Sequence, residues 1–428
     1  MRIKAEHIIL AIIFIATLSF RLYFSLETST FNSDQAYFHL RHINSIANDK
    51  QIITYDPLSY SGRTALYPPL LHILMALLSF GNIILLKIIN EVAISSLVII
   101  VYIIAKELSN NNYSALFSSL LSAFIPGMMR ETLNEITAYA LALPLLFLVL
   151  YLFTKLENRK ILWMFTIIIF LLSLTSSIVF IFLLSLVFYF LLTSGGALNP
   201  SRIEKEATLF STLLIFLLSL IIYKKAFFAY GINIIWQNIP VNILEDSFRS
   251  FSPIDLIVGA GLVSLVFGAL GLYIGIKRER KKSIYIFSSL MLGILFLLSF
   301  RLITLSSGLL FLGIGFALFS SITINYLYEF FEKSKLGTAK LLLTITIIIL
   351  VIAFSLVPSY NIAKNTRGIS EKKIQEMQWL AENTKEGTIV LGNVKEGNLI
   401  SAAAMRKNVI DTGFLLAPSP VERLRDTK

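Results

Sequence analysis

The 428-residue chain contains no cysteine, and this absence excludes disulfide bonds, thiolate metal ligands and cysteine nucleophiles. Any bound metal would need oxygen or histidine ligands. The chain also lacks a GxxxxGK(S/T) motif, so nucleotide hydrolysis is not expected. Charged residues make up only 15% of the chain, whereas hydrophobic residues make up 56%. This composition is too apolar for an ordinary water-soluble domain.

Long apolar runs recur along most of the chain, and the mean hydropathy is +0.76. Several approach or reach the roughly 20 residues that a spanning helix needs; examples are HIILAIIFIATLSF, VAISSLVIIVYIIA, AYALALPLLFLVLYLF and LLLTITIIILVIAFSLV. We therefore expect a mainly α fold, a polytopic transmembrane helical bundle of about 11 to 13 spans. The first run follows Arg2 and Lys4 and leads into Arg21 without a small-residue cleavage site, which indicates a retained helix.

The basic residues predict how the chain threads the bilayer. They cluster at Lys106, Lys155 to Lys160, Arg202 and Lys205, Lys277 to Lys282, and Lys333 to Lys340. Because cytoplasmic loops carry an excess of lysine and arginine, these loops and the N-terminus are expected to face the cytoplasm. The same rule accounts for the formal net charge of +11. The charges form no continuous basic face, so nucleic acid is not an expected partner.

On this threading, four segments are extracytoplasmic: 26–67, 127–135, 224–252 and the tail from about 359 onward. Residues 68–80 are short for a span and are expected to form an outer-side or re-entrant helix. The chain then divides into a transmembrane domain, 1–358, with a long first external loop, and a short soluble segment, 359–428. In that tail, an amphipathic helix ending near Asn383, a Lys-Glu-Gly turn and the β-prone run TIVL predict an α/β segment.

Acidic residues in the external segments are candidates for chemistry. Asp34 follows the first span, where a loop carboxylate can hold a hard cation such as Mg²⁺ or Mn²⁺; a solvated loop acid is the alternative. Glu131 and Glu135 lie in the second segment, where negative charge at a helix start is also favourable to the helix dipole. Glu245, in VNILED, is either a site residue or a loop acid.

Arg301 interrupts the apolar stretch LFLLSFRLITLSSGLLFLGIGFAL, where a charge is costly and usually functional. A phosphate is the natural partner of such a guanidinium group. The alternative is an arginine at the end of a span that extends to the lipid headgroups. The histidines His39, His42 and His72 show no recognisable metal-ligand spacing, so we expect them to be loop or interface residues.

Taken in order, these segments resemble the catalytic subunit of oligosaccharyltransferase, within the C-type membrane glycosyltransferases, over nearly the whole chain. Asp34 in SDQAYFHLR looks like the metal aspartate of the family's first loop, and YDPLSYSGRTALYPPLLHIL is similar to the remainder of that loop. PGMMRETLNEITAYAL looks like the second-loop motif, in which Arg130, Asn134 and Glu135 match.

The resemblance continues toward the C-terminus and includes two departures. Glu245 in NILED resembles an external-loop glutamate that assists at the metal and acceptor site, and Arg301 is similar to the arginine that contacts the donor's phosphates. QWLAENTKEGTIVL resembles the segment before the acceptor-reading motif WWDYG, but the chain then has GNVKEG. Leu133 stands where the second-loop triplet begins with aspartate, which leaves Glu131 as the nearby carboxylate. The chain thus resembles a short divergent homologue without WWDYG.

This resemblance implies a glycosyltransferase that moves a saccharide from a polyprenyl (dolichyl-type) phosphate or pyrophosphate to an extracytoplasmic acceptor. It leaves open whether the acceptor is protein asparagine, as in N-glycosylation, or another protein, lipid or glycan, and it implies Mn²⁺ or Mg²⁺ as cofactor. The implied roles are catalysis for Asp34, Glu135 and Glu245, metal binding for Asp34, Glu135 and Glu131, and substrate binding for Arg130, Arg301, Asn134 and Arg41. The alternatives are a non-catalytic or degenerate homologue and a transporter or flippase of lipid-linked sugars.

Overall fold

The computed structural model describes residues 4–194, 198–230, 250, 252–333, 339–413, 417 and 419–426. The helices of the first half are α1 Ala5–Leu26, α2 Asp34–Asp49, α3 Leu70–Ser79, α4 Ile83–Ser95, α5 Leu97–Ser109, α6 Asn112–Ala123, α7 Pro126–Thr132, α8 Tyr139–Phe153, α9 Arg159–Thr175, α10 Val179–Ser194 and α11 Arg202–Tyr230. The helices of the second half are α12 Pro253–Ala260, α13 Leu262–Ile274, α14 Lys282–Ser299, α15 Leu305–Lys333, α16 Ala339–Val351, α17 Val357–Asn365, α18 Glu371–Asn383, α19 Gly397–Leu399 and α20 Pro420–Asp426.

Short π-helical segments follow three of these helices, at Gly275–Glu279, Ile352–Leu356 and Ile400–Ala404, and a 3-10 turn occupies Val394–Glu396. The strands are β1 Tyr55–Asp56, β2 Arg63–Thr64, β3 Ile389–Val390 and β4 Lys407–Asn408. β1 and β2 pair antiparallel, and β3 and β4 pair in parallel. In the tail, α18 ends at Asn383 and β3 follows at Ile389–Val390, but each paired strand has only two residues, so the predicted α/β segment is not confirmed.

Six helical stretches among the described residues are long and apolar enough to cross a bilayer, or seven if one bent pair forms a single span. One of them, Ile83–Ser109, combines α4 and α5. The expectation of a multi-pass helical membrane protein is therefore confirmed, whereas the expected number of 11 to 13 spans is not. The difference arises because several apolar runs form helices of 10 to 17 residues: Leu70–Ser79, Tyr139–Phe153 and Val179–Ser194. Such helices are shorter than the roughly 20 residues that a full crossing needs.

Helix α15 lies at the centre of the bundle, because 94% of its most apolar window is buried. It packs against α13, which approaches so closely that a Cβ atom added at Gly271 would lie 1.9 Å from the Phe319 carbonyl oxygen. The apolar pair α12 and α13 is bent by 106° between them. Gly261 stands at this bend with a φ of +83°, a backbone conformation that glycine adopts without strain.

Ion pairs join the basic loops at one end of the bundle, which we call the basic end. Lys155 contacts Glu107 at 2.8 Å and Lys282 contacts Glu204 at 2.6 Å. The start of α1 lies at the same end, since Glu6 accepts a hydrogen bond from the Asn112 side chain. The opposite end, formed where α1, α6 and α14 finish, is the loop end.

A second apolar cluster lies at the loop end and assembles the first loop. It joins α2 and α3 with Phe31, with Ile136 after α7, and with Leu399 of the tail. Polar contacts hold the tail to the same loop: Arg63 bonds the Asp411 carboxylate at 2.7 Å, and Ser59 forms a bridge with Asn408. The first loop, the second loop and the tail therefore meet on one surface.

Candidate active site

Asp34 is the first residue of α2, and the sequence explains why the helix begins there. Ser33 is its N-cap, and the Ser33 hydroxyl accepts a hydrogen bond from the Ala36 amide. A carboxylate in the first turn also interacts favourably with the helix dipole. Asp34 is only 7% exposed, which removes the alternative of a solvated loop acid.

The tail surrounds the Asp34 carboxylate with hydrogen-bond donors. The Asn398 side-chain amide donates to Oδ2 at 2.7 Å, and the Leu399 amide donates to Oδ1 at 2.8 Å. The Asn398 backbone amide adds a longer bond to Oδ2 at 3.3 Å. Burial raises the pKa of Asp34 above its ordinary value, and these donors oppose the increase. Both carboxylate oxygens are thus directed at the start of α19.

Ser33 links Glu135 to Asp34, because it precedes Asp34 in the chain and contacts the Glu135 side chain. The Ser33 hydroxyl donates a 2.7 Å hydrogen bond to Glu135 Oε2. Burial raises the pKa of Glu135 to about 8, although the Ser33 bond acts in the opposite direction, and the nearby Glu131 raises it further. Burial also raises the pKa of Glu131, which is bonded to Ser306 at the start of α15. The structure therefore brings the first-loop and second-loop carboxyl groups to the loop end.

Asn134 holds the second loop in place rather than facing open solvent. It is 1% exposed and adopts a φ of +54°, which asparagine tolerates better than most residues. Its side-chain amide donates to the Thr28 hydroxyl and to the Thr30 carbonyl, and its own carbonyl accepts from the Asn32 amide. The Asn134 side chain, which was predicted to bind substrate, thus forms contacts between the two loops.

The three predicted substrate arginines lie in different surroundings. Arg130 is exposed and lines a cavity of about 120 Å³ with Asp255 and Ser306. Arg301 is exposed, has a φ of +53°, and lies in the connection between α14 and α15. Both arginines are exposed at the loop end, whereas Arg41 bonds the Asp56 carboxylate at 2.6 Å.

The described residues do not form a ready metal site. Among them no group of three histidine, aspartate or glutamate side chains is placed to hold an ion. Asp34 directs its oxygens at the tail and Glu135 directs one at Ser33, so these carboxylates are engaged in hydrogen bonds and are not gathered around one point. Glu245, the remaining predicted carboxylate, lies outside the described residues.

Three buried charges escaped the sequence analysis: Arg21, Lys87 and Glu91, which are 0%, 2% and 0% exposed. Their signal is present in the sequence, because each interrupts an apolar helix where a charge is costly. Arg21 marked only the end of the first apolar run, whereas α1 continues to Leu26. All three contact the segments that lead to Asp34 or Glu135.

The histidines pack as interface residues, as their spacing predicted. His39 Nδ1 lies 2.9 Å from His72 Nε2, and the His42 ring packs on Phe38 and Tyr67. Burial lowers the pKa of His39 to about 3 and that of His42 to about 4. Both rings are therefore neutral at physiological pH and serve the packing of α2 on α3.

No family model and no curated protein matches the chain. Solved structures match it over nearly its whole length. The apo oligosaccharyltransferase of Archaeoglobus fulgidus is 15% identical, with a TM-score of 0.71 over 95% of this chain and 64% of that one. Our chain thus spans less than two thirds of that protein. The same archaeal enzyme, in complex with an inhibitory peptide and a dolichol-phosphate, matches with a TM-score of 0.66, 15% identity and coverages of 93% and 64%.

A second enzyme matches over more of its own length. ArnT from Cupriavidus metallidurans, bound to undecaprenyl phosphate, is 10% identical, with a TM-score of 0.65 over 96% of this chain and 88% of that one. At such identities the likeness concerns the fold. It confirms what the sequence resemblance predicted: this chain has the fold of the C-type membrane glycosyltransferases, shared with archaeal oligosaccharyltransferase and ArnT.

Proposed function

We propose that this protein is a membrane glycosyltransferase that moves a saccharide from a polyprenyl phosphate or pyrophosphate donor to an acceptor outside the cytoplasm. The observation that carries the proposal is the pair of buried carboxyl groups, Asp34 and Glu135, on either side of Ser33 at the loop end. It is supported by the fold, since structures that share it were solved with dolichol-phosphate or undecaprenyl phosphate.

The proposed transfer is a substitution at the anomeric carbon of the donor sugar. An acceptor atom forms a bond to that carbon, the bond from carbon to phosphate oxygen breaks, and the electron pair leaves with the phosphate. The acceptor proton passes to the Asp34 or Glu135 carboxylate. Glu135 suits this task because a pKa of about 8 lets it take up and release a proton near neutral pH.

Two arginines are proposed to receive the donor phosphate. Arg130 and Arg301 are exposed at the loop end, and a guanidinium group offers several donors in a geometry that matches phosphate. Placed beside the leaving group, they would neutralise its growing charge. The lipid tail would then lie along the apolar outer surface of the bundle, with access from the bilayer.

The acceptor is proposed to approach across the tail, beside Asn398. One solved relative holds a tethered acceptor peptide with an NVT sequon, which supports protein asparagine as one acceptor class. The chain carries GNVKEG where the family's acceptor motif is expected, so the proposal includes another protein, a lipid or a glycan as alternative acceptors. Glu245 is proposed to assist catalysis beside the acceptor. Asn134 is proposed to bind substrate from the second loop.

Mn²⁺ or Mg²⁺ is proposed as a separate feature, and no step above depends on it. The archaeal relative was also solved with zinc and sulfate, which supports a metal in enzymes of this fold. Asp34, Glu131 and Glu135 are the proposed ligands, and the hydrogen bonds from the tail to Asp34 would first have to break. Hard cations prefer such carboxylate oxygens.

The decisive measurement is release of polyprenyl phosphate or pyrophosphate from a pool of lipid-linked sugars by the purified protein. We expect the Asp34→Asn and Glu135→Gln variants to lose about 100-fold or more of the rate, the range of a lost proton-transfer group. The matched control is Asp49→Asn, an exposed acid on the same helix. Parallel assays with Mn²⁺, Mg²⁺ or EDTA test the metal.

Three contrary results would each change the proposal in a different way. Equal release by the wild-type protein and the Asp34→Asn variant would remove Asp34 from the mechanism. No release by any folded sample would favour a non-catalytic homologue. Movement of intact lipid-linked sugar across a vesicle bilayer, without release, would favour a flippase.

A further inference from the structure

Three charged side chains lie inside the bundle where the proposed reaction does not use them. Arg21 belongs to α1, while Lys87 and Glu91 lie one turn apart on α4. Each is at most 2% exposed. Burying an ion costs several kcal/mol unless partners replace its hydration, so the partners show what the charges do.

Lys87 binds the backbone where α1 ends and the first loop begins. Its ammonium group donates to the Ser25, Thr28 and Thr30 carbonyls at 2.7, 2.7 and 2.9 Å. These bonds use all three ammonium protons. The bond to the Ser25 carbonyl also satisfies a group that the end of α1 leaves without a helix partner, and it places positive charge at the negative end of the α1 dipole. Lys87 thereby fixes the backbone four to nine residues before Asp34.

Glu91 binds the second loop directly and through Arg21. Its Oε1 accepts the Asn134 backbone amide at 3.0 Å, and its Oε2 accepts Arg21 Nε at 2.6 Å. Arg21 then donates to the carbonyl and hydroxyl of Thr132, at 3.0 and 2.9 Å. The residue that follows Asn134 is Glu135, so Glu91 fixes the backbone from which that carboxyl group extends.

The two halves of the network meet at Thr30. Its carbonyl accepts from both Lys87 and the Asn134 side chain, and the Asn134 carbonyl accepts from the Asn32 amide. These bonds bring the first loop beside the second just before Ser33 contacts Glu135. All three hydrogen bonds from the Lys87 ammonium group, and one of those to Glu91, involve the backbone of these two loops or of the adjoining helix end. A pair that merely joined helices would need none of them.

We propose that Lys87 and Glu91 are positioning residues, which hold from within the bundle the two loop backbones that carry Asp34 and Glu135. The role deepens the function proposed above and rests on it for its catalytic meaning. Their effect on loop position is a property of the chain itself, so it is measurable even if no sugar transfer is found.

The absence of cysteine allows a direct test in the full-length chain, because a single introduced thiol is the only one present. Ala36→Cys is the loop reporter, since Ala36 is 0% exposed in the first turn of α2. Ala105→Cys, also at 0% exposure but near the basic end, is the remote reporter. Alkylation by N-ethylmaleimide in detergent measures how often each site opens.

We expect Glu91→Gln to accelerate alkylation of Ala36→Cys by about tenfold or more while leaving Ala105→Cys unchanged. The control Glu107→Gln removes a carboxylate from α5, near the far end of the Ile83–Ser109 span, where it pairs with Lys155. It is expected to leave Ala36→Cys unchanged. Glu91→Asp keeps the charge and should restore much of the protection. Lys87→Met should act like Glu91→Gln if the network works as one unit.

Two results would overturn the proposal. Equal acceleration at both reporters would show that Glu91 supports the whole bundle, and no acceleration at either would show that the loops keep their position without it. Where the wild-type protein releases donor phosphate, Glu91→Gln should lower kcat with little change in KM for the donor, because donor contacts are intact. If the wild-type protein releases none, the proposed function fails, yet the alkylation rates still decide the positioning role.

Discussion

At the scale of the residue, burial and hydrogen bonding set the carboxyl groups apart. Asp34 receives donors on both of its oxygens from the tail, whereas Glu135 receives the Ser33 hydroxyl on one. Burial raises the pKa of both groups, and that of Glu135 reaches about 8. Burial thus favours the protonated form of both neighbouring acids, while hydrogen bonds from different segments oppose it.

The raised pKa of Glu135 predicts that stability falls as the pH rises. Below the ordinary value of 4.5 the group carries its proton in both the folded and unfolded chain. Between 4.5 and about 8 only the folded chain keeps it, so the free energy of unfolding decreases, by at most about 1.4 kcal/mol per pH unit. Thermal midpoints at pH 5 to 8.5 should therefore fall more steeply for the wild-type protein than for Glu135→Gln.

Asp49→Asn is the control for this comparison, because it removes an exposed acid from α2. Its midpoints are expected to follow those of the wild-type protein. Parallel curves for the wild-type protein and Glu135→Gln would contradict the raised pKa.

At the scale of the element, the start of α19 acts as an anchor for the tail. The Asn398 amide and the following backbone amide bind Asp34, while Asn408 of β4 bonds the Gly397 carbonyl and the Ser401 hydroxyl. α19 is too short to be stable alone, since an isolated helical turn gains few hydrogen bonds for the residues that it orders. Its conformation therefore depends on contact with α2.

The variant Asn398→Leu tests this dependence because it keeps the side-chain size and removes the amide donor. We expect the variant to lose about 1 to 3 kcal/mol of tail docking, the cost of a missing hydrogen bond to a charged group. Hydrogen exchange at residues 397–404 should accelerate, while exchange in α15 stays unchanged. Asn383→Ala is the matched control, since that side chain donates to the Trp379 carbonyl of its own helix. Equal exchange in both variants would contradict an anchoring role.

At the scale of the whole molecule, the ion-paired basic loops and the candidate site occupy opposite ends of the bundle. The basic loops pair with Glu107 and Glu204 at one end, and the carboxyl groups of the candidate site gather at the other. The positive-inside rule then predicts that the basic end faces the cytoplasm. The orientation follows from charge alone and is independent of the proposed reaction.

Single thiols introduced at exposed positions test this orientation in intact cells. Asp49→Cys, at the loop end, should react with a membrane-impermeant maleimide added outside. Lys160→Cys, beside the basic loop, should react only after the cells are permeabilised. Both side chains are exposed, so a difference in reactivity reports the side of the membrane. The reverse pattern of reactivity would show that the chain crosses the membrane in the opposite orientation.

The sequence predicted the features that depend on local pattern and missed those that depend on contact. The apolar runs predicted a membrane bundle, and the resemblance predicted its fold. The number of apolar runs, however, overestimated the number of helices that are long enough to cross the bilayer. Asp34 and Glu135 could be named from their motifs. The bonds from Asn398 could not, because nothing in the spacing of residues 34 and 398 indicates that they meet. Lys87 and Glu91 were missed because the mean hydropathy of their apolar run stays high although the run contains two charges.

The ion pair between Arg21 and Glu91 also bears on how the chain enters the membrane. A charged residue near the centre of a single helix opposes its transfer from the translocon into lipid by roughly 2.5 to 3.5 kcal/mol. Within their apolar stretches α1 carries Arg21 and α4 carries Lys87 and Glu91, and Arg21 and Glu91 compensate each other only when the two helices are side by side. The first helix is therefore expected to wait beside the translocon until the fourth has been synthesised. The two would then enter lipid together, with the loop between them already outside.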